Sequence, residues 1–191
     1  MGCCGSANRW LGGWRESFIR HLLATDLPAL GIRVDPELLR RLEPYHANLG
    51  KRLVKSPKVY VRDSGLLHSL LGIQAVNDLL GHPSTGASWE GFCIEQICGL
   101  LPPSAQVSFY RTAAGAELDL VVEVGSRKLG FEIKFSSAPK VTKGFWQASR
   151  DVGVQQSYVV APVEAGGTMK SQVACPVAVV GPAQLPSVLA N

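Results

Sequence analysis

The sequence predicts an α/β fold, and three observations predict it. From Ser88 onward the periodicities alternate in the order helix, three strands, helix, strand. Gly125-Ser126 joins two alternating apolar runs, as the loop of a two-residue hairpin does. Pro102-Pro103 stops the first of these helices, because proline lacks the N–H that would continue it. Ahead of this part the sequence reads as a helical lead-in over residues 1–50 and a basic strand-helix connector over residues 51–87. Residues 88–191 make up the α/β domain.

Composition narrows the class. A chain of 191 residues supports one domain and a modest appendage. With 46% hydrophobic and 18% charged residues, it is a folded chain and not a disordered one. No run reaches the ~18 apolar residues of a membrane-spanning helix, so no membrane partner is expected. Residues 1–14 lack a charged start followed by an apolar core, so no secretory leader is expected either. Gly2, Ser6 and the adjacent Cys3 and Cys4 fit a myristoylation-plus-acylation pattern. That pattern is short and needs a eukaryotic host, and it is read here as chance. Five cysteines (Cys3, Cys4, Cys93, Cys98, Cys175) are an odd number without metal-type spacing, which favours a reduced, cytoplasmic compartment.

Charge is uneven. Residues 1–62 hold 11 Lys/Arg against 5 Asp/Glu, while residues 63–191 hold 8 against 10. The basic part ends in Lys51, Arg52, Lys55, Lys58 and Arg62. A nucleic-acid backbone would suit Lys51, Arg52, Lys55 and Lys58, and a solvated basic connector explains them equally well.

The elements follow in order. Residues 10–30 place Trp14, Phe18, His21 and Leu22 at helical spacing. Residues 35–42 read as a short helix with Asp35 as N-cap and Pro36 in its first turn. Residues 42–57 show no period and read as a linker or a remnant of something larger. Residues 59–62 are a short strand. Asp63 or Ser64 then caps a helix carrying Leu66, Leu67, Leu70 and Leu71, closed by Gly72. Residues 75–80 form another helical turn ended by Gly81, and residues 82–86 a loop. Ser88 is the expected N-cap of the main helix, with Trp89, Phe92, Cys93, Ile97 and Leu100 on one side. Strands follow at 107–112, 116–124 and 127–135, a helix at 141–152, strands at 156–163 and 177–180, and a terminal turn at 182–189. The segment after residue 164 is expected to pack against the sheet edge.

The hairpin carries the chemistry. With Gly125 first, as a type II′ turn prefers, opposed residues have numbers summing to 251. Leu118 then faces Ile133, Leu120 faces Phe131 and Val122 faces Leu129, all on one apolar side. On the other side Glu117 faces Lys134 and Asp119 faces Glu132. Opposed carboxylates repel unless one is protonated or a cation lies between them. Hard divalent ions such as Mg²⁺ or Mn²⁺ favour oxygen ligands, and they lower the pKa of bound water. Lys134, two residues after Glu132, projects on the same side and suits the attacking water or the phosphate charge. The alternative is a wet outer face with Glu117 and Lys134 as a surface ion pair. Glu90 opens the main helix and is a further candidate, with helix-dipole stabilisation as its plain reading. Glu95 reads as an exposed helix charge. Arg111 ends a strand beside the site and suits either phosphate or nothing in particular.

An acid followed by Glu-x-Lys on the next strand, in αβββαβ order, resembles the PD-(D/E)xK nuclease superfamily. Within it the sequence is similar to the domain-of-unknown-function 4143 family, found at the C terminus of archaeal-type AAA+ ATPases. The matching motifs run from Lys58-Val-Tyr-Val-Arg-Asp-Ser-Gly-Leu-Leu67 through Leu71-Gly72, Ser88-Trp-Glu-Gly-Phe92, Phe109-Tyr-Arg-Thr112 and Gly115-Ala-Glu-Leu-Asp119 to Phe131-Glu-Ile-Lys134. The resemblance implies a restriction-endonuclease-like core with a helical N-terminal appendage. It implies Asp119 and Glu132 as ligands of Mg²⁺ or Mn²⁺, Lys134 as the catalytic lysine, Glu90 as the helix glutamate, and nucleic acid and an ATPase subunit as partners. Leu118 stands where the superfamily label has proline. The sequence lacks Gly-x4-Gly-Lys-Ser/Thr, so no ATP site of that kind is expected in it. Metal-dependent phosphodiester hydrolysis is the first functional expectation. A catalytically silent module that binds nucleic acid or protein, or a truncated fragment of an ATP-binding protein, is the alternative.

Overall fold

A computed structural model describes residues 36–45 and 53–190. The expected helix over residues 10–30, the cap at Asp35, the acylation pattern and the basic pair Lys51 and Arg52 lie outside the described residues.

The described chain is a mixed α/β structure built on one eight-stranded sheet, in the order β2-β1-β3-β4-β5-β6-β8-β7. The strands are β1 (Leu39–Pro44), β2 (Lys58–Val61), β3 (Gln106–Arg111), β4 (Glu117–Val124), β5 (Arg127–Ile133), β6 (Gln156–Val160), β7 (Gly167–Met169) and β8 (Val177–Val180). The helices are α1 (Ser64–Leu70), α2 (Val76–Gly81), α3 (Thr85–Leu100), α4 (Lys143–Val152) and α5 (Leu185–Ala190). From α3 to β6 the order is the expected helix, three strands, helix, strand.

Two apolar layers sandwich the sheet. On one face Cys93, Ile94 and Ile97 of α3 and Leu185 of α5 pack with Leu42, Leu120, Val122, Leu129, Phe131 and Ile133. On the other, Phe145, Trp146, Ala148 and Val152 of α4 pack with Tyr110, Leu118, Val121 and Val159. Each large side chain buried this way stabilises by about 1.5–3 kcal/mol. Both faces of the central strands are therefore covered, and the wet outer face does not exist at Val121.

The hairpin register is the expected one as far as Leu120. Leu120 pairs with Phe131, Val121 with Gly130, Val122 with Leu129, Glu123 with Lys128 and Val124 with Arg127. Gly125 has φ 58° and Ser126 has no positive φ, as a II′ turn requires. Beyond Leu120 the reading changes. Ser108 pairs with Val121 but Tyr110 pairs with Leu118, so Asp119 and Leu120 share the place opposite Phe109. This bulge reverses the alternation. Leu118 turns to the α4 layer while Leu120 and Ile133 stay in the α3 layer, and the expected Leu118–Ile133 pair is lost.

Other expectations shift too. The helix read over residues 35–42 is a 3-10 turn, Pro36–Leu38, followed by β1. β1 runs antiparallel to β2 and parallel to β3, so it joins the main sheet. The start of the presumed linker, residues 42–44, is therefore strand, and Leu42 is fully buried. Asp63 caps α1, its side chain accepting the Leu66 N–H. Helix α3 starts three residues before Ser88; that serine sits in its first turn and its Oγ meets His68 Nε2 at 2.6 Å. The final segment does more than line the edge. β8 pairs with β6, and β7 is added outside it. No helix among the described residues is long and apolar enough to cross a membrane.

Candidate metal centre

Four carboxylates and two ammonium groups meet where β2, α3 and the β4–β5 hairpin converge. The β4 bulge sets the centre. Asp119, 8% exposed, reaches across the parting strands, and its Oδ2 accepts the Ile133 N–H at 2.9 Å. Its Oδ1 accepts from Lys58 Nζ at 3.2 Å. The expectation of Asp119 and Glu132 as direct backbone partners gives way to a side-chain bridge across the hairpin.

Lys58 is the residue that sequence reasoning misplaced. The sequence groups it with surface cations suited to nucleic acid, yet its side chain is only 12% exposed. Its ammonium donates to Glu90 Oε1 at 3.0 Å and lies 3.1 Å from Glu117 Oε1, besides the contact with Asp119. Burial alone would lower its pKa, but Glu90, Asp119 and Glu117 hold it well above the usual lysine range. A basic residue in a basic run gives no hint of this. The usable signal was strand position, since Lys58 opens β2 beside a sheet that is buried.

Glu90 lies in the second turn of α3 because the helix begins at Thr85, so the dipole explanation of its place weakens. Its Oε1 also accepts the Tyr60 hydroxyl at 2.6 Å. Gly91 makes that approach possible. A Cβ there would meet the Tyr60 ring at 3.3 Å.

Glu132 is 5% exposed. Its Oε1 meets Lys134 Nζ at 2.6 Å, and its Oε2 is buried without a hydrogen-bond partner. Burial first, and then the charge of Asp119, push its pKa up to about 8. Asp119 is pushed up to about 6, by burial and then by Glu90. Lys134 is raised, with burial lowering it but Glu132 and Asp119 outweighing that. The expected Glu117–Lys134 pair is replaced. Lys134 pairs with Glu132, while Glu117 takes Lys58 and, at 3.5 Å, Arg111.

Charge therefore falls short of balance. Glu90, Glu117, Asp119 and Glu132 face Lys58, Lys134 and, at the rim, Arg111. The shortfall shows at Glu132, whose pKa burial and the Asp119 charge raise despite the Lys134 ammonium. Among the described residues no group of three His, Cys, Asp or Glu side chains is placed to hold a metal ion together. Asp119 lies near enough for its charge to act on Glu132, whose Oε2 is buried without a hydrogen-bond partner. Of the expected nucleic-acid contacts, Arg111 is held by Glu117 and Lys55 is exposed.

Residues 85–179 match the family described as a domain of unknown function, DUF4143. They take in α3, the hairpin, Asp119, Glu132 and Lys134. Residues 34–77, with β1, β2 and Lys58, match another domain of unknown function, DUF8612. Over 130 residues, 68% of the chain, the sequence is 45% identical to uncharacterized proteins of Mycobacterium tuberculosis and Mycobacterium bovis. The chain spans 29% of the length of these relatives. No solved structure matches it.

Proposed function

We propose that this DUF4143 domain is a PD-(D/E)xK-type, restriction-endonuclease-like module that hydrolyses phosphodiesters with a divalent ion. One observation carries the reading. A buried glutamate on a β-hairpin has an orphaned oxygen and sits beside a second buried acid and a lysine. Asp119 and Glu132 would hold Mg²⁺ or Mn²⁺, which supplies an acidified water and offsets phosphoryl charge when bound. Lys134, already against Glu132, keeps a positive charge at the mouth of the site for the phosphate. Glu90 acts through Lys58 and positions Asp119.

The test is Mg²⁺ or Mn²⁺ titration of the purified protein, followed by nicking of supercoiled DNA and cleavage of single-stranded DNA and RNA. Saturable ion binding and cleavage, both lost in Asp119→Ala, are expected. Absence of both in the wild type abandons the hydrolytic reading.

A specific observation favours a second reading. Lys58 satisfies three of the four carboxylates with no ion at all. A module silenced in this way would bind nucleic acid or protein and never cut. Binding of DNA or RNA that is independent of Mg²⁺ and unaffected by Asp119→Ala selects it. The family resemblance extends the proposal to an ATPase partner, checked by co-purification with the reading frames beside this one.

A further inference from the structure

We propose that Phe135, braced by Trp89, is a stacking platform for an unpaired base, so that the substrate class of the site is single-stranded nucleic acid. This rests on the functional reading above for the phosphate chemistry and adds the form of nucleic acid that enters.

Phe135 is 44% exposed. One exposed apolar side chain is ordinary on a protein surface, but two observations set this one apart. It is the one exposed aromatic side chain among the described residues, the other large exposed apolar ones being leucines and a valine. It also directly follows Lys134, whose N–H bonds the Val160 carbonyl at 2.9 Å at the end of β5.

The ring is seated against the acid centre. Its centroid lies 5.6 Å from that of Trp89, which in turn lies 5.8 Å from Phe92. Trp89 immediately precedes Glu90 on α3, and Phe135 closes the stretch that holds Glu132 and Lys134. The same two segments therefore supply the aromatic row and much of the charged site. The Trp89 Nε1 is buried without a hydrogen-bond partner. A buried indole N–H usually has one, so this indole is placed by its ring contacts, Phe135 among them.

Charge complements the ring. The Lys134 side chain is 35% exposed, and adjacent Cα atoms are only about 3.8 Å apart. A nucleotide carries a flat base and a phosphate, and here the ring suits the first and the ammonium the second. In a duplex the faces of each base are covered by its neighbours. Only an unpaired strand can lay a base on Phe135 without first unstacking it.

Fluorescence anisotropy of labelled oligothymidylate, oligouridylate and a DNA duplex, in Ca²⁺ to offset the carboxylates, tests this without measuring cleavage. The wild type should bind at least one of the single strands about tenfold tighter than the duplex. Phe135→Leu keeps an apolar side chain but loses the π-face. It should weaken single-strand binding about tenfold, the order of one base stack, and leave duplex binding and the melting temperature in place. Phe135→Trp should retain the preference. A wild type that binds the single strands no tighter than the duplex, or binds none of the three, overturns the platform. So does a Phe135→Leu that binds like the wild type, or a Phe135→Trp that loses the preference. A wild type that prefers the single strand yet takes up no Mg²⁺ or Mn²⁺ and cuts nothing sinks the hydrolytic reading alone. One that cuts, with equal affinity for single strand and duplex, sinks only the stacking platform.

Discussion

Helix α3 presents two partly buried glutamates, Glu90 and Glu95, to the β1–β2 edge, and their surroundings are opposite. Glu95 is met by Arg40 at 2.5 Å and Arg62 at 3.0 Å. Burial works against its charge, but the two guanidiniums win and hold its pKa below the usual carboxylate range. Glu90 shares one ammonium with two other acids, and next to them Glu132 holds a proton well above that range. Its sequence position predicts an exposed charge for Glu95. It is instead a strap from α3 to both outer strands, with a side chain 13% exposed. The contrast separates two uses of a buried acid. An acid matched by more than one cation is structural, because its charge is already spent. An acid cluster left short of cations holds an unmet demand for positive charge, and that demand is what a binding site sells.

The comparison breaks most visibly at Glu95. Glu95→Ala leaves two guanidiniums facing each other and should destabilise by about 2–3 kcal/mol, less than a fully buried pair because Arg62 stays partly wet. Urea denaturation measures this, and a loss no larger than that of an ordinary surface change would erase the distinction. Glu132→Gln should have the opposite sign. It removes a carboxylate that the fold prefers to protonate, so at pH 8 without divalent ions the variant should gain about 1–3 kcal/mol over the wild type. The same variant should lose the ion-binding response.

The pH dependence sharpens the comparison further. Glu132 and Asp119 have folded pKa values above their unfolded ones, so between about pH 4 and 8 the folded state binds more protons than the unfolded state. Ion-free stability should therefore fall as pH rises through that window. The depressed pKa of Glu95 works the other way, its contribution being present above its unfolded value and lost as pH falls below it. Thermal melts from pH 3 to 9 should show a mildly acidic maximum, and Mn²⁺ should flatten the alkaline fall. A flat ion-free profile from pH 5 to 8 would contradict the assignment. The smallest effect belongs to Gly91→Ala, which pushes Tyr60 off Glu90 and should cost about 1 kcal/mol, with tyrosine fluorescence or difference absorption reporting the shift.

Sequence alone settled the α3-to-β6 order, because helical and strand periods and the Pro102-Pro103 stop are local properties. It also settled the hairpin turn, since Gly125 supplies the positive φ, and with it the register up to Leu120. The Asp119–Glu132 pair came from extending that register past Leu120, where the bulge instead sets Asp119 against the Ile133 N–H. What tertiary structure decided is everything made by contacts distant in sequence. The bulge at Asp119 and Leu120 depends on how β3 lies against β4. The burial of Lys58 depends on β2 joining the sheet through β1, beyond a stretch with no periodicity. A charged residue reads the same whether it faces water or three carboxylates 32 to 61 positions away, and only the folded chain fixes which of these it meets.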